Sequence, residues 1–442
     1  MSLWHRLGFD ENPYFTTPIQ VDAEGLELFV GRGSEIRRLI SKWDEKDRSI
    51  TVVGGNIGTG KTSFLNVCQY LCLTGKRDFG LTYDPPRLVP AFRKVQLEQE
   101  QSVDELLLRI IRATAESIRT ASEQDKLDQP TEVKDVCGWL ESLSSATSAS
   151  TGGGVTVLGT GANGLRATST SHRDPEKLGF DSLLSIFERL ARAARGLSSY
   201  RGVIVAIDNI EMVETSRVIG LLNDFRDTLF SVTGIWWVLI GQRGLYDLIA
   251  ADAPRVSQRI KGTETALDGL SWEDFQLAIQ IRIAHQRRRT DAVAPIGDEL
   301  LRALFDASNG EIRYVFKMAD EIVTDAIAEH PELTDVPNEL AETMLTRSVE
   351  RQVQGLKLSS REKRVLRTLC EKKTGRPREY KDYGFSNAPH FIQGALQPLQ
   401  EKGLVSKSTE GNAAMYDPRP LAILAHKYRL LDQPTTAGSK ET

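Results

Sequence analysis

The amino-acid sequence predicts an α/β protein with a parallel sheet that is covered by helices on both faces. A β-branched run, Ser49–Gly54, precedes a glycine-rich turn and a helical pattern. The apolar runs Val203–Ile207 and Ile235–Ile240 each follow a further helical pattern. Strands that alternate with helices form parallel sheets, because the crossover helices must lie on the faces of the sheet.

Composition and charge indicate a globular chain with an uneven charge distribution. The 442 residues are 40% hydrophobic and 26% charged, and no apolar run approaches the roughly 20 residues of a membrane span. The first residues lack the pattern of a secretion signal, so we expect a cytoplasmic protein with no membrane partner. Residues 356–430 hold 15 Lys and Arg against 7 Asp and Glu, a net charge of +8, whereas the first 355 residues carry −11. This asymmetry favours an anionic partner at the C-terminal end.

Between the strands, hydrophobic spacing predicts helices. They are expected over Thr62–Leu73, Val103–Ala121, Asp181–Ala194 and Ser216–Phe230, with a wholly helical stretch from Ser271 to about Val349 that is broken at Pro295, Gly310 and Pro331. The stretch Ser142–Ser171 is rich in Ser, Thr and Gly, which is typical of a surface loop. Val155–Leu158 within it could also form a short projecting hairpin.

The turn after the first strand matches a phosphate-binding loop at every position. Its residues are Gly55, Asn56, Ile57, Gly58, Thr59, Gly60, Lys61 and Thr62, with Ser63 next in the helix. Glycines let successive backbone N–H groups face phosphate oxygens, and the following helix directs its positive end at the same anion. Lys61 supplies a charge for the β- and γ-phosphates, and the Thr62 hydroxyl is a ligand for Mg²⁺. A strand before the loop and a helix after it complete the pattern, so we predict a site for ATP with Mg²⁺.

A carboxylate for the metal follows the strand Val203–Ile207. Asp208 ends that run, and a phosphate-bound Mg²⁺ needs an acid at the end of a neighbouring strand. Hydrolysis also needs a base that orients and deprotonates water, and the next residue, Asn209, cannot accept a proton. Either Glu211 takes the base role, which we favour, or the protein hydrolyses ATP slowly and works mainly as a switch.

The basic C-terminal segment predicts a compact module for DNA. Ser360–Cys370 and Ala388–Lys402 have the apolar spacing of helices, and residues 403–406 and 415–416 read as a two-stranded wing. The second helix would expose polar side chains that can bond to base edges, namely His390, Gln393 and Gln397. The basic residues lie in the loop before it, at Lys372, Lys373, Arg376, Arg378 and Lys381, which favours contact with the phosphate backbone over sequence reading. The alternative is a module used only for protein contact.

These ordered motifs resemble the AAA+ ATPases of the initiator group (origin-recognition and Cdc6-like proteins) and the related STAND signalling ATPases. The resemblance covers roughly residues 28–430. It implies that Phe29, Val30, Gly31 and Arg32 line an adenine pocket, that Gly55–Thr62 is the Walker A loop and that Ile204–Asp208 is the Walker B strand. The segment after Trp236–Ile240 takes the place of the family's sensor 1, which makes Gln242 or Arg243 its polar residue.

The resemblance also implies two arginines that reach the γ-phosphate. Pro254–Arg259 looks like the segment that carries the arginine finger, with Arg259 the better match and Arg255 the alternative; such a finger acts on a neighbouring subunit's nucleotide. Gly310–Arg313 looks like the sensor 2 box, which would bring Arg313 over the nucleotide of its own subunit. The segment after the helical lid is similar to the winged-helix domain of initiator-type ATPases.

The sequence therefore predicts a P-loop NTPase of the AAA+ kind in five parts. These are a lead-in over residues 1–28, a nucleotide-binding core over 29–268 with the insertion 142–171, a helical lid over 269–350, a winged helix over 356–430 and a flexible tail over 431–442. The expected function is an ATPase that forms a homo-oligomer with ATP and engages double-stranded DNA. The alternatives are a STAND-like signalling or anti-phage ATPase whose oligomer controls a separate effector protein, and a regulator of the transposition type.

Overall fold

A parallel sheet lies at the centre of the first 268 residues. The computed structural model describes residues 2–150, 178–197, 199–308, 310–410 and 413–432. In these ranges the sheet consists of β1 (Ser49–Gly55), β2 (Val89–Pro90), β3 (Val95–Gln96), β4 (Val203–Asp208), β5 (Ile235–Gly241) and β6 (Thr265–Leu267). The strand order is β2–β4–β5–β1–β6, with β3 also paired to β4, and every pairing is parallel. The predicted parallel sheet is confirmed.

Helices cover both faces of this sheet. Apart from α1 (Leu3–Leu7), which packs with the later helices, they are α2 (Ala23–Leu28), α3 (Gly33–Trp43), α4 (Lys61–Thr74), α5 (Val103–Gln124), α6 (Thr131–Ser150), α7 (Phe180–Gly196), α8 (Thr215–Arg226), α9 (Leu245–Asp252) and α10 (Pro254–Ser257). Successive strand residues point to opposite faces. Trp236 therefore packs in the apolar cluster of α3 and α4, whereas Trp237 packs in that of α5, α7 and α8.

The second part of the chain consists of helices and one short β-hairpin. Its elements are α11 (Trp272–Gln286), α12 (Asp298–Ser308), α13 (Ile312–Glu329), α14 (Asn338–Gly355), α15 (Ser360–Lys372), a 3₁₀ helix (Pro377–Tyr383) where the sequence predicted a basic loop, α16 (Ala388–Phe391), a π-helix (Ile392–Leu396), α17 (Gln397–Glu401), β7 (Val405–Glu410), β8 (Ala413–Pro418) and α18 (Pro420–Lys427). We refer to α11–α14 as the lid helices. One apolar cluster runs through these elements, and Leu7, Phe9 and Tyr14 of the N-terminal segment belong to it.

The N-terminal segment therefore bridges the two parts. Phe9 pairs with Arg287 in an antiparallel bridge, and the Tyr14 hydroxyl accepts a hydrogen bond from the Ile296 N–H at 3.2 Å. A few residues later, the Ile19 N–H donates to the Ser63 hydroxyl at 3.1 Å, and the Asn66 amide donates to the Ile19 carbonyl at 2.6 Å. Residues 2–19 thus contact both the lid helices and α4.

Two sequence expectations need correction. The stretch from Ser142 was expected to be a loop, but α6 continues to Ser150 because it is already anchored by buried apolar residues earlier in the helix, and propagation costs little. The rest of that stretch, including Val155–Leu158, lies outside the described residues. The expected helix Ser216–Phe230 ends at Arg226, and a 3₁₀ turn (Leu229–Ser231) then packs Phe230 against Phe225. None of the described helices has the length and apolar character needed to cross a membrane.

Candidate functional site

The P-loop Gly55–Thr62 lies at the carboxyl end of β1. Gly58 and Gly60 have φ angles of +77° and +85°, which residues with a side chain rarely adopt. At Gly55 an added Cβ would approach the Leu267 carbonyl oxygen to 2.8 Å. The glycines therefore let the loop curl tightly between β1 and the N-terminus of α4. A helix N-terminus preceded by such a turn is suited to bind an anion.

Lys61 is held inside this loop. Its Nζ donates to the Gly55 carbonyl at 2.8 Å and to the Asn56 carbonyl at 3.2 Å, and it lies 3.8 Å from Glu211 Oε1. The side chain is only 11% exposed. Burial lowers the pKa of Lys61, and the nearby carboxylates of Glu211 and Asp208 partly oppose that shift. The ammonium group is thus placed where a phosphate would replace weak carbonyl contacts by charge-assisted ones.

Asp208 and Thr62 meet beside Lys61. Asp208 Oδ2 lies 3.5 Å from Thr62 Oγ1, and its Oδ1 accepts the Asn209 N–H at 2.9 Å. A carboxylate and a hydroxyl are hard oxygen ligands of the kind that Mg²⁺ prefers. Across the described ranges no group of three or more His, Cys, Asp or Glu could hold a metal. A Mg²⁺ at this pair would therefore take its other ligands from phosphate oxygens and water.

Asn209 directs Glu211 back to the P-loop. Its backbone is left-handed, with φ +60° and ψ +33°, and it precedes a 3₁₀ turn over Ile210–Met212. Asn adopts this conformation more readily than other non-glycine residues. The turn brings the Glu211 carboxylate beside Lys61, where the side chain is 14% exposed and Oε2 is buried without a hydrogen-bond partner. The position after Asp208 thus requires a left-handed backbone, which Asn209 provides. Glu211 has one carboxylate oxygen left for a ligand or water.

Arg313 approaches the P-loop from the lid helices. It lies in the first turn of α13, and its Cβ lies 3.6 Å from the position that a Cβ on Gly58 would occupy. Arg32 is fixed on the opposite side, where its Nη2 donates to the carbonyls of Thr59 at 2.9 Å and Asp268 at 2.7 Å. Both arginines line one cavity between the sheet and the lid helices.

This cavity has a volume of about 750 Å³, which includes the space at its open mouth. The predicted residues that line it are Val30, Arg32, Gly58, Thr59, Gly60, Thr62, Ser63 and Arg313, together with Phe29. The sequence did not predict the remainder of its wall, which comes from Phe15–Ile19, Leu28, Leu270, Ala278, Arg282, Ile312 and Phe316. Arg282 could have been suspected, because it falls among the apolar residues of α11 at helical spacing.

The remaining predicted residues lie around the cavity or away from it. Gly31, with φ +73°, packs against the Asp274 carboxylate, and Ile57 is 47% exposed at the tip of the P-loop. Gln242 is exposed after β5, and its neighbour Arg243 forms an ion pair with Asp268. Arg259 lies at the surface, where its Nη2 is 2.7 Å from Asp227 Oδ1.

A second lysine near the P-loop was not predicted. Lys94, just before β3, donates to Asn66 Oδ1 at 2.6 Å and to the Thr62 carbonyl at 3.3 Å. Burial lowers its pKa to about 8, and the Asp208 carboxylate opposes that shift. Lys94 thus fixes the start of α4 on the side that faces Asp208.

Comparison with known proteins gives structural likenesses only. No family model and no curated protein matches the chain. Among solved structures it is similar to the ORC1 protein of Aeropyrum pernix in complex with DNA, at 15% identity and a TM-score of 0.46, over 96% of this chain and 97% of that one. The ORC2 protein of the same organism (ADPNP–ADP complexes) gives 14% and 0.46, and Cdc6p from Pyrobaculum aerophilum gives 14% and 0.43, with the same coverage of both chains.

The architecture itself decides the fold. A P-loop follows the central strand β1, an acid ends β4, and the helices after the sheet return Arg313 to the loop. The chain has the AAA+ fold. This AAA+ fold places every residue of the cavity wall either at the carboxyl edge of the sheet, in the lid helices or in the segment before α3.

Proposed function

We propose that the chain is an ATP-binding AAA+ switch that hydrolyses ATP slowly and assembles with ATP. The observation that carries the proposal is the meeting of Lys61, Thr62, Asp208 and Glu211 at one edge of the sheet, with Arg313 facing them from the lid helices. Each has a role in phosphoryl transfer. Lys61 and Arg313 balance phosphate charge, and Glu211 orients water through its unpartnered oxygen.

Thr62 and Asp208 would hold Mg²⁺, which when bound neutralises charge that develops on the phosphates. Glu211 stays beside Lys61 at 3.8 Å, so part of its negative charge is compensated before nucleotide enters. The residue directly after Asp208 is Asn209, which cannot accept a proton from water. This supports slow turnover.

Assembly through a neighbouring subunit is supported by the position of Arg259. Its side chain is exposed, and its ion pair with Asp227 is of a kind that contributes little to stability. Arg259 could therefore exchange its partner Asp227 for a nucleotide phosphate on another copy of the chain at little cost in free energy. The homo-oligomer is part of the proposal on this ground.

Double-stranded DNA is the partner that the C-terminal segment favours. We propose that α15, α16–α17 and the β7–β8 hairpin form a winged helix. His390, Gln393 and Gln397 are exposed along α16–α17. The exposed basic residues before them are Lys372 at the end of α15, Lys373 directly after it, and Arg378 and Lys381 in the 3₁₀ helix Pro377–Tyr383. Exposed basic residues before a helix with polar side chains suit phosphate contact with limited base reading.

A STAND-like signalling ATPase that controls a separate effector protein is the second candidate. It is favoured by Asn209, which stands where a base would otherwise follow Asp208. In that case nucleotide gates assembly, and the C-terminal segment binds protein.

The test of the proposed function combines calorimetry with DNA binding by the full-length chain. ATP should bind in the presence of Mg²⁺, and Lys61→Ala should weaken that binding at least tenfold, because charge-assisted hydrogen bonds are lost. Lys76→Ala is the control, since Lys76 is exposed just beyond α4 and pairs with Asp78. Duplex DNA binding that depends on ATP supports the first candidate. ATP-dependent assembly without DNA binding at low salt supports the second, and unchanged ATP affinity in Lys61→Ala rejects both.

A further inference from the structure

Arg282 is a buried cation in the wall of the cavity. It lies on α11, and only 7% of the residue is exposed. Its guanidinium carbon lies 4.1 Å from the ring centre of Phe15 and 4.3 Å from that of Phe316. Within the described ranges no carboxylate lies in salt-bridge distance of it. Arg282 thus keeps its charge through contact with two aromatic faces instead of an acid.

The hydrogen bonds of Arg282 are incomplete. Nη1 donates to the Phe15 carbonyl at 2.9 Å, whereas Nε is buried with no partner. A guanidinium has five N–H donors and no acceptor, and a buried donor without a partner is costly. The Phe15 carbonyl has a second lone pair that Nη1 does not use. Arg282 and Phe15 both line the cavity, where the guanidinium has N–H groups left for an acceptor and the carbonyl has a lone pair left for a donor.

The edge of adenine has the complementary pattern. Its 6-amino group donates, and the ring nitrogens N7 and N1 on either side of it accept. In guanine and hypoxanthine the 6-position is an oxygen, which would face the Phe15 carbonyl oxygen with no hydrogen between them. The P-loop residues Gly58, Thr59 and Gly60 line the same cavity as Phe15 and Arg282, so a nucleotide held by its phosphates at the P-loop can place its base against that wall.

We infer that Arg282 is a specificity-determining residue for the base. It donates to a ring nitrogen of adenine, while the Phe15 carbonyl accepts from the 6-amino group. This inference rests on the proposed ATP site and names the residues that distinguish ATP from other purine nucleotides.

The test pairs a change in the protein with a change in the ligand. ATP, 7-deaza-ATP, 1-deaza-ATP and ITP are titrated into the wild-type chain and into Arg282→Met by calorimetry. In the wild type, ITP and one of the two deaza analogues should bind about tenfold more weakly than ATP, since one hydrogen bond to the base is lost. In Arg282→Met, the affinity for ATP should fall by a similar factor. The deaza analogue that binds weakly to the wild type should bind this variant no worse than ATP does.

Arg302→Met is the matched control. Arg302 also lies over an aromatic ring, 4.9 Å from the centre of Trp272, but it is half exposed and lies outside the cavity wall. The Arg302→Met variant should bind all four nucleotides with the affinities of the wild type. Thermal unfolding of Arg282→Met checks that it folds. If it does not, Arg282→Lys is titrated in its place, because it keeps the charge but not the planar set of donors.

Two failures are distinguishable. If the wild-type chain binds no nucleoside triphosphate, the proposed function is wrong. If it binds ATP and Lys61→Ala does not, but both deaza analogues bind like ATP, only the role of Arg282 is overturned. The role of Arg282 is also overturned if the deaza analogue loses as much affinity relative to ATP in Arg282→Met as in the wild type. The ring nitrogen would then have a hydrogen-bond donor other than Arg282.

Discussion

Arg419 forms a two-armed ion pair with Glu311. Its Nε and Nη2 donate to the two carboxylate oxygens at 3.1 and 2.9 Å. Arg419 lies between β8 and α18, whereas Glu311 immediately precedes α13 and lies against Gly58 of the P-loop. The pair thus connects the C-terminal segment to the turn that carries Arg313.

We expect Arg419→Met to destabilise the protein by about 1–3 kcal/mol, because Glu311 is largely buried and its carboxylate would lose its partner. Adding Glu311→Gln should recover part of the loss, since a neutral amide costs less to leave unpaired. Thermal unfolding of the two single variants and the double variant measures this coupling. Losses that simply add would show that the pair does not act as a unit.

Glu211→Gln should retain ATP binding and lower the hydrolysis rate by about 100-fold or more, the contribution expected of a general base. The amide has the size of the carboxylate but cannot take a proton. Steady-state turnover and calorimetry measure the two effects separately. Glu214→Gln is the control, because Glu214 is exposed beyond the same turn. Equal turnover in Glu211→Gln and the wild type removes Glu211 from the mechanism.

Asn209 supports the site through its backbone. We expect Asn209→Ala to lower the free energy of unfolding by about 1 kcal/mol, since Ala is strained at φ +60°. Asn209→Gly should cost less, because glycine adopts this conformation freely. Denaturant unfolding of both variants provides the comparison. If Ala is as stable as Gly at this position, the left-handed backbone does not explain the residue.

Arg259→Ala should leave ATP affinity unchanged and impair both ATP-dependent assembly and turnover, because the finger acts on a neighbouring copy. Its ion pair with Asp227 is exposed, so we expect a change in unfolding free energy below about 1 kcal/mol. Asp227→Ala breaks the same pair but keeps the arginine, and it should still assemble. Mass photometry with and without ATP distinguishes these variants. Assembly of Arg259→Ala at wild-type levels would contradict the finger.

DNA binding by the full chain should weaken steeply with salt if the basic residues between α15 and α16 contact phosphates. Changing Lys373, Arg378 and Lys381 to Ala should flatten the log–log salt slope by about 0.9 per lost contact and weaken binding to all duplexes alike. Gln393→Ala with Gln397→Ala should instead change the preference between sequences. Fluorescence anisotropy over a salt series measures both. A slope unaffected by the triple change would place the phosphate contacts elsewhere.

Local patterns in the sequence were sufficient for the parallel sheet and its long strands. The strands β1, β4 and β5 are continuous apolar runs, because a parallel sheet is buried on both faces. The strands β2 and β3 are two residues long and carry no period that could be recognised. Their pairing with β4 depends on the strand that they join.

The candidate site also contains a part that local sequence predicts and a part that depends on contacts between distant residues. The P-loop and Asp208 were predicted because each depends on residues adjacent in the chain. The contact of Phe15 with Arg282 joins residues 267 positions apart, and no local spacing indicates it. The approach of Glu211 to Lys61 requires the backbone angle of Asn209, which residue type alone does not determine. The position of Arg282 on an apolar helix face weakly indicated a special role, but nothing in the sequence indicated its contacts with Phe15 and Phe316.

The segment of residues 2–19 has a consequence for how fast a nucleotide could leave. Phe9 and Tyr14 are buried among the lid helices, and Ile19 is hydrogen-bonded to Ser63 and Asn66 on α4. The lid helices are therefore attached to the sheet by this segment as well as by the chain before α11. A swing that opens the cavity must break the Ile19 contacts or pull Phe9 and Tyr14 out of their core. We expect a long nucleotide residence time, set by detachment of this segment.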